Sequence, residues 1–357
     1  MKVKSKLGNK NFIPVSEPLI TKDDIKAVAK TVKSGWVSSI GKEIKNFERN
    51  FSRFLGLNYA TTVSNGTAAL EIALKAVGVK KNDEVIIPNF TIISNALAVI
   101  KLGAKPVSVD CDLHDWNMKI DEVIKKINKK TKAIIVTHIY NFALDLKTLK
   151  KICNKKKIYL IEDAAEVIGL EIEGKKCGSF GDVSTFSFYA NKQITSGEGV
   201  MIASNDKKII DKCNSLKNLC FGQKIRFRHE EIGWNYRMTN IQAALGLAQL
   251  ERLDETIKKK IEIGALYNEL LSEVEEITLP LQRLEYGDNI YWVYGILLDK
   301  KKGKAHDFIR ELLKVGIGSR PFFYPIHKQP VFKKMGLFLD FNEKFIADDL
   351  YEQGLYL

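Results

Sequence analysis

Short continuous apolar runs alternate with stretches of helical period through the first two thirds of the chain. Thr21-Lys-Asp-Asp offers a capping hydroxyl followed by acidic first-turn residues, which predicts a helix start. Glu43 to Leu55 is amphipathic, and Thr67 to Val77 follows Ser64-Asn65-Gly66 as a further helix. Strand-like runs follow at Glu84 to Ile87, Pro106 to Val109, Ala133 to Thr137 and Ile158 to Glu162, with helical Ser94 to Leu102 among them. Buried strands separated by helix-length segments predict crossover connections, and therefore an α/β fold with a mostly parallel sheet. Beyond Met238, the segment Thr239 to Glu273 is rich in Leu, Ala, Gln and Glu and reads as one helix. It links a large domain, residues 12–238, to a smaller α+β C-terminal domain, residues 239–357.

Composition narrows the class. Hydrophobic residues are 45% of the 357 and charged residues 28%, with no repeat and no Pro-rich or Gly/Ser-rich linker, so the chain reads as globular. Residues 1–12 are basic without the apolar stretch of a secretory signal, and nothing approaches the roughly 20 apolar residues of a membrane span. The cytoplasm is the expected location, without membrane contact. The excess of 13 positive charges is mostly lysine, in short runs such as Lys155 to Lys157 and Lys300 to Lys302. No aromatic residues interleave those runs, which argues for solvated surface and against a nucleic-acid partner. Five scattered cysteines and five scattered histidines show neither a disulfide framework nor metal-ligand spacing, so no metal is expected.

Three segments carry candidate chemistry. Ser64-Asn65-Gly66-Thr67-Ala68-Ala69-Leu70 is a small-residue turn opening a helix, where free N–H groups favour a phosphate; an ordinary capping turn has the same composition. Leu160-Ile161-Glu162-Asp163-Ala164-Ala165-Glu166 sets carboxylates at the end of an apolar strand, which meets either ligand or solvent. Ser184 to Gly199 places Lys192 after an apolar strand and before a Gly-rich turn, as surface filler or as a nucleophile whose amine attacks a carbonyl.

Taken in order, these segments resemble the DegT/DnrJ/EryC1/StrS family of pyridoxal-phosphate sugar aminotransferases. The resemblance runs from Gly35-Trp-Val-Ser-Ser-Ile-Gly-Lys through Pro88-Asn-Phe-Thr, Ile161-Glu-Asp-Ala-Ala-Glu and Phe186-Ser-Phe-Tyr-Ala-Asn-Lys. It continues in Gly233-Trp-Asn-Tyr-Arg-Met-Thr-Asn and Arg320-Pro-Phe-Phe-Tyr-Pro. It implies the type I aminotransferase fold, pyridoxal 5'-phosphate as cofactor, and glutamate as amino donor. The last two blocks look most similar to the branch that aminates C4 of GDP-4-keto-6-deoxymannose, which implies a nucleotide-sugar substrate.

Residue by residue, the resemblance implies that Lys192 is the Schiff-base lysine and proton shuttle, and that Asp163 pairs with the pyridine nitrogen. Glu166 falls near the ring oxygen, and Phe90 where an aromatic stacks on the ring. Gly66, Thr67 and Ala68 with Ser187 would hold the phosphate, joined by Asn235 of a second subunit, which implies a homodimer with shared sites. His229 and Arg320 are the substrate-binding candidates, with Arg237 a weaker cofactor candidate. The insert from Gln223 to His229 is basic and aromatic enough for a sugar nucleotide. Asn141-Phe142 departs from the family pattern, and a phenylalanine that narrowed the substrate pocket would favour the alternative acceptor, a small phosphorylated ketone. A regulatory protein that binds the cofactor without turnover is the non-enzyme alternative. Relatives carry a further turn and helix where this sequence stops at Leu357, so the expectation is either a chain that continues or an unusually short member.

Overall fold

The computed structural model describes residues 12–222, 225, 227–229, 231–284, 287–339 and 344–357. Seven strands build the main sheet: β1 (Tyr59–Val63), β2 (Glu84–Pro88), β3 (Lys105–Val109), β4 (Thr131–Thr137), β5 (Tyr159–Asp163), β6 (Val183–Ser187) and β7 (Val200–Ser204). Their spatial order is β1-β7-β6-β5-β4-β2-β3. β3, β2, β4, β5 and β6 pair in parallel, and β7 inserts antiparallel between β6 and β1.

Alternation along the strands explains why the sheet is buried on both faces. Ile86, Ile134, Val136 and Leu160 face one core with Phe47, Phe51 and Phe186. Val85, Ile87, Ala133, Ile135 and Ile161 face the other, with Leu70, Ile72 and Leu74 of the helix Gly66–Ala76. Continuous apolar runs therefore mark central strands covered by helices on either side.

The Thr21 cap forms as the sequence predicts, since Thr21 and Asp24 exchange side-chain and backbone hydrogen bonds at the start of the helix Lys22–Lys33. The predicted single helix over 239–273 is instead two, Asn240–Leu250 and Leu253–Leu271. The break falls at Glu251-Arg252, where the Arg252 guanidinium reaches the Asp24 carboxylate at 2.5 Å and the Leu19 carbonyl at 2.7 Å. That anchor ties the second helix to the first helix of the chain.

A second sheet forms from β8 (Ile277–Thr278), β9 (Gly295–Leu298), β10 (Arg320–Pro321) and β11 (Gly354–Tyr356), in the order β8-β9-β11-β10, all antiparallel. Its inner side meets the main sheet through Phe90, Trp116, Tyr140, Trp292 and Phe322, which pack as one cluster. Among the described residues no helix is long and apolar enough to cross a membrane.

Candidate active site

The carboxyl ends of β1, β2, β4, β5 and β6 converge on a cavity of about 430 Å³. In open α/β sheets this is where ligands bind. Gly66 and Thr67 follow β1, Ile92 and Ser94 follow β2, Asp163 ends β5 and Glu166 follows it. Ser187 ends β6 and Lys192 lies five residues beyond it, while Trp292, Phe323 and Tyr356 come from the C-terminal third.

Two carboxylates act on the Lys192 amine. Burial pushes that amine down to about 8, while the charges of Glu166 and Asp163 work in the opposite direction. The Lys192 Nζ lies 3.2 Å from the centroid of the Trp292 ring. Burial raises the Asp163 carboxyl, opposed first by the Lys192 charge and then by the Ala165 N–H, which donates to its Oδ1 at 3.4 Å. Burial likewise pushes Glu166 up to about 7 against the Lys192 charge. Its Oε2 accepts from the Tyr140 N–H at 2.7 Å, and its carbonyl accepts from Gln193 Nε2 at 3.1 Å.

Glu162, beside Asp163 in β5, faces away from the cavity. Its Oε1 and Oε2 accept the N–H groups of Phe180 and Gly178, both at 2.7 Å, and that of Gly181. His138 Nε2 completes the set at 3.3 Å. Of the carboxylates at this strand end, one clamps the loop that leads into β6, and two face the cavity.

The opposite wall is the N-terminus of the helix Gly66–Ala76. Asn65 caps it, its Oδ1 accepting from Ala68 N at 3.0 Å. The Ala68 N–H is thereby engaged, whereas Gly66 faces open space and the Thr67 and Ser94 hydroxyls meet at 2.8 Å. Ser187 Oγ accepts from Tyr189 N at 3.3 Å and shares the cavity. A helix N-terminus bordered by hydroxyls suits a phosphate. With an amine for an aldehyde and a carboxylate for a ring nitrogen in the same cavity, these residues fit pyridoxal phosphate.

Several expected residues lie elsewhere. Phe90 is fully buried and packs on Tyr140, Phe322 and Phe323 at ring distances of 5.9, 5.7 and 5.9 Å. It packs away from the cavity, and Ile92 lines it instead. Phe142 is also buried, edge-on to Trp116 at 5.7 Å, so it does not narrow the cavity.

Asn235 is exposed, accepting from Arg237 Nε at 2.8 Å, and stands outside its own subunit's cavity. His229 is exposed as well; its Nδ1 lies 2.7 Å from the Leu219 carbonyl and its ring beside Phe221. Arg320, exposed on β10, pairs in register with Tyr356, which does line the cavity, so it stands at the rim. Gln223, Lys224 and Arg226 of the basic insert lie outside the described residues. Trp292, Tyr356 and Ile92 were not anticipated from the sequence; the only signal for the first was the aromatic density of Tyr291-Trp-Val-Tyr.

A half-buried lysine near two carboxylates and a phosphate-suited helix start, on a sheet of this topology, defines a pyridoxal-phosphate aminotransferase site. The comparisons with known proteins place the chain more narrowly. The profile of the DegT/DnrJ/EryC1/StrS aminotransferase family matches residues 18–357, and the chain belongs to that family. It is 44% identical over 326 residues to the GDP-perosamine synthase of Vibrio cholerae, covering 91% of this chain and 88% of that protein. It is 38% identical over 320 residues to the GDP-perosamine synthase of Caulobacter vibrioides, covering 89% and 86%. In structure it resembles the aminotransferase TlmJ of Streptoalloteichus hindustanus, with a TM-score of 0.89 and 27% identity over 97% of this chain and 92% of that one. The protein is a pyridoxal-phosphate-dependent transaminase with the fold of that enzyme class.

Proposed function

We propose that the protein transfers an amino group to C4 of a nucleotide-linked 4-keto-6-deoxy sugar, with GDP as the nucleotide and glutamate as donor. The observation that carries this reading is its similarity to two proteins named GDP-perosamine synthase over nine-tenths of the chain. Bound pyridoxal phosphate supplies the electron sink that lets a carbon–hydrogen bond beside the transferred nitrogen ionise. In this reading Lys192 holds the cofactor and moves the proton, and Asp163 keeps the ring nitrogen protonated. Glu166 faces the ring oxygen, while the Gly66 and Thr67 amides and Ser187 bind the phosphate. Ile92 takes the ring-facing place expected of Phe90.

Arg320 at the rim and the net charge of +13 favour a diphosphate. Binding of that remote group positions C4 over the reacting amine, so an acceptor without its nucleotide loses rate as well as affinity. We further propose a homodimer in which the partner subunit supplies an Asn235 side chain to the phosphate, working in the cytoplasm. Trp36, Val37 and Ile40, at 60, 40 and 70% exposure, form apolar surface that a second copy would cover.

The reading is tested by steady-state comparison of GDP-4-keto-6-deoxymannose, its UDP and dTDP counterparts, and dihydroxyacetone phosphate. The GDP sugar is expected to give the highest kcat/KM. A higher value for the small ketone phosphate would overturn the substrate and leave the cofactor chemistry standing. The buried Phe142 removes the reason for expecting that small acceptor.

A further inference from the structure

We propose that Trp292 is a positioning residue for Lys192, its indole face receiving the lysine amine and favouring its ammonium form over the neutral amine while that amine is not bonded to a carbonyl. The proposal rests on the reading of Lys192 as the reacting amine. Its observation is the placement of Lys192 Nζ at 3.2 Å from the ring centroid.

The indole is built to keep that place. Its Nε1 donates to the carbonyl of Asn191 at 2.8 Å, so the ring is tied to the residue immediately before Lys192. Tyr140 stacks near it at 6.3 Å and Tyr356 lies at 6.4 Å. Its own carbonyl accepts from Lys260 Nζ at 3.2 Å, which anchors the backbone to the helix Leu253–Leu271. Trp292 is buried and, with Lys192, borders both the cofactor cavity and a neighbouring one of about 640 Å³. Ring and amine therefore form the partition between the two spaces.

The chemistry gives this contact a use. An amine that shuttles a proton must be free enough to accept it and must then carry a positive charge where water is scarce. The aromatic face attracts that charge without competing for the proton, as a closer carboxylate would. Titratable groups around the amine are Asp163 and Glu166, then Tyr189, Glu198 and Tyr356 on the cavity wall, with His138 acting on Asp163; Glu17, Arg252, Glu255, Lys259 and Lys260 line the neighbouring cavity. A side chain that only filled space would leave the amine's proton affinity unchanged when replaced by another apolar group.

The test measures Lys192 labelling by an amine-reactive reagent across pH, located by peptide mass spectrometry, in the full chain freed of cofactor. Trp292→Leu keeps an apolar wall without a π face and is expected to lower the labelling midpoint by about one pH unit, which is about ten-fold more free amine at a given pH below it. Trp292→Phe keeps a weaker face and is expected to lower the midpoint by less than half as much, giving about two-fold more free amine. That milder variant carries the test alone should the leucine variant not fold. An unmoved or raised midpoint in either, or an equal shift in both, would overturn the proposal. The midpoint is read whether or not Lys192 binds cofactor, so failure here is separate from failure of the functional reading.

Discussion

Lys192 works between opposing influences, since burial lowers its proton affinity while Glu166 and Asp163 raise it. Glu166 exerts the larger of the two opposing effects, and its own carboxyl is pushed up to about 7. Near pH 8 Glu166 is mostly ionised and supports the ammonium; as pH falls through 7 it takes a proton and the support fades. Glu166→Gln removes that charge at every pH, so the Lys192 midpoint should fall below about 8. Following cofactor uptake by the cofactor-free protein against pH reads this directly, and the variant should reach its full uptake rate at lower pH than the parent. A midpoint that stayed in place would remove Glu166 from the lysine's surroundings. The sequence places Asp163, Glu166 and Lys192 in recognisable blocks, and the structure brings all three to one cavity. It offers no comparable guide to Ile92 against Phe90, because both are apolar and only the path of the loop after β2 decides which is turned to the core.

Along single elements, the end of β5 does two jobs with adjacent residues. Alternation sends Asp163 to the cavity and Glu162 to the loop at 178–181, whose N–H groups the carboxylate gathers. Gly178 is required there, for its φ is +86° and a Cβ would meet the Phe186 ring at 2.0 Å. Glu162→Ala would leave three backbone donors and His138 without their acceptor, and should destabilise the protein by about 3 to 5 kcal/mol. Urea unfolding followed by circular dichroism measures it, with a loss under 1 kcal/mol contradicting the clamp.

The strands β2 to β5 are legible as short apolar runs, whereas β1 carries the polar pair Thr61-Thr62 at its centre. Those threonines are buried because their hydroxyls meet Asn214 at 2.6 Å and Glu48 at 3.0 Å, partners remote in sequence. No local pattern announces such a strand.

At the scale of the whole molecule, the cavity is assembled from both sheets. Trp292 and Tyr356 reach it from the C-terminal third, over a hundred residues from Asp163. A one-dimensional reading that assigns chemistry block by block misses such residues, since their role arises only when Trp292 and Tyr356 pack on Tyr140, just past β4, and Trp292 bonds to Asn191, just past β6. Subunit sharing is the next level of assembly. Mixing inactive Lys192→Ala with inactive Asn235→Ala subunits should restore part of the activity in mixed dimers, each with one intact site. No recovery after exchange verified by native mass spectrometry would argue against a shared site.

Every role assigned around the cavity depends on where the cofactor is attached. Borohydride reduction of the purified protein followed by peptide mapping tests that attachment most directly. The reduced pyridoxyl group is expected on Lys192, in the peptide that contains Asn191 and Gln193, at close to one per chain. Recovery of the label on any other lysine, with Lys192 unmodified, would contradict the site built on Lys192, Asp163 and Glu166.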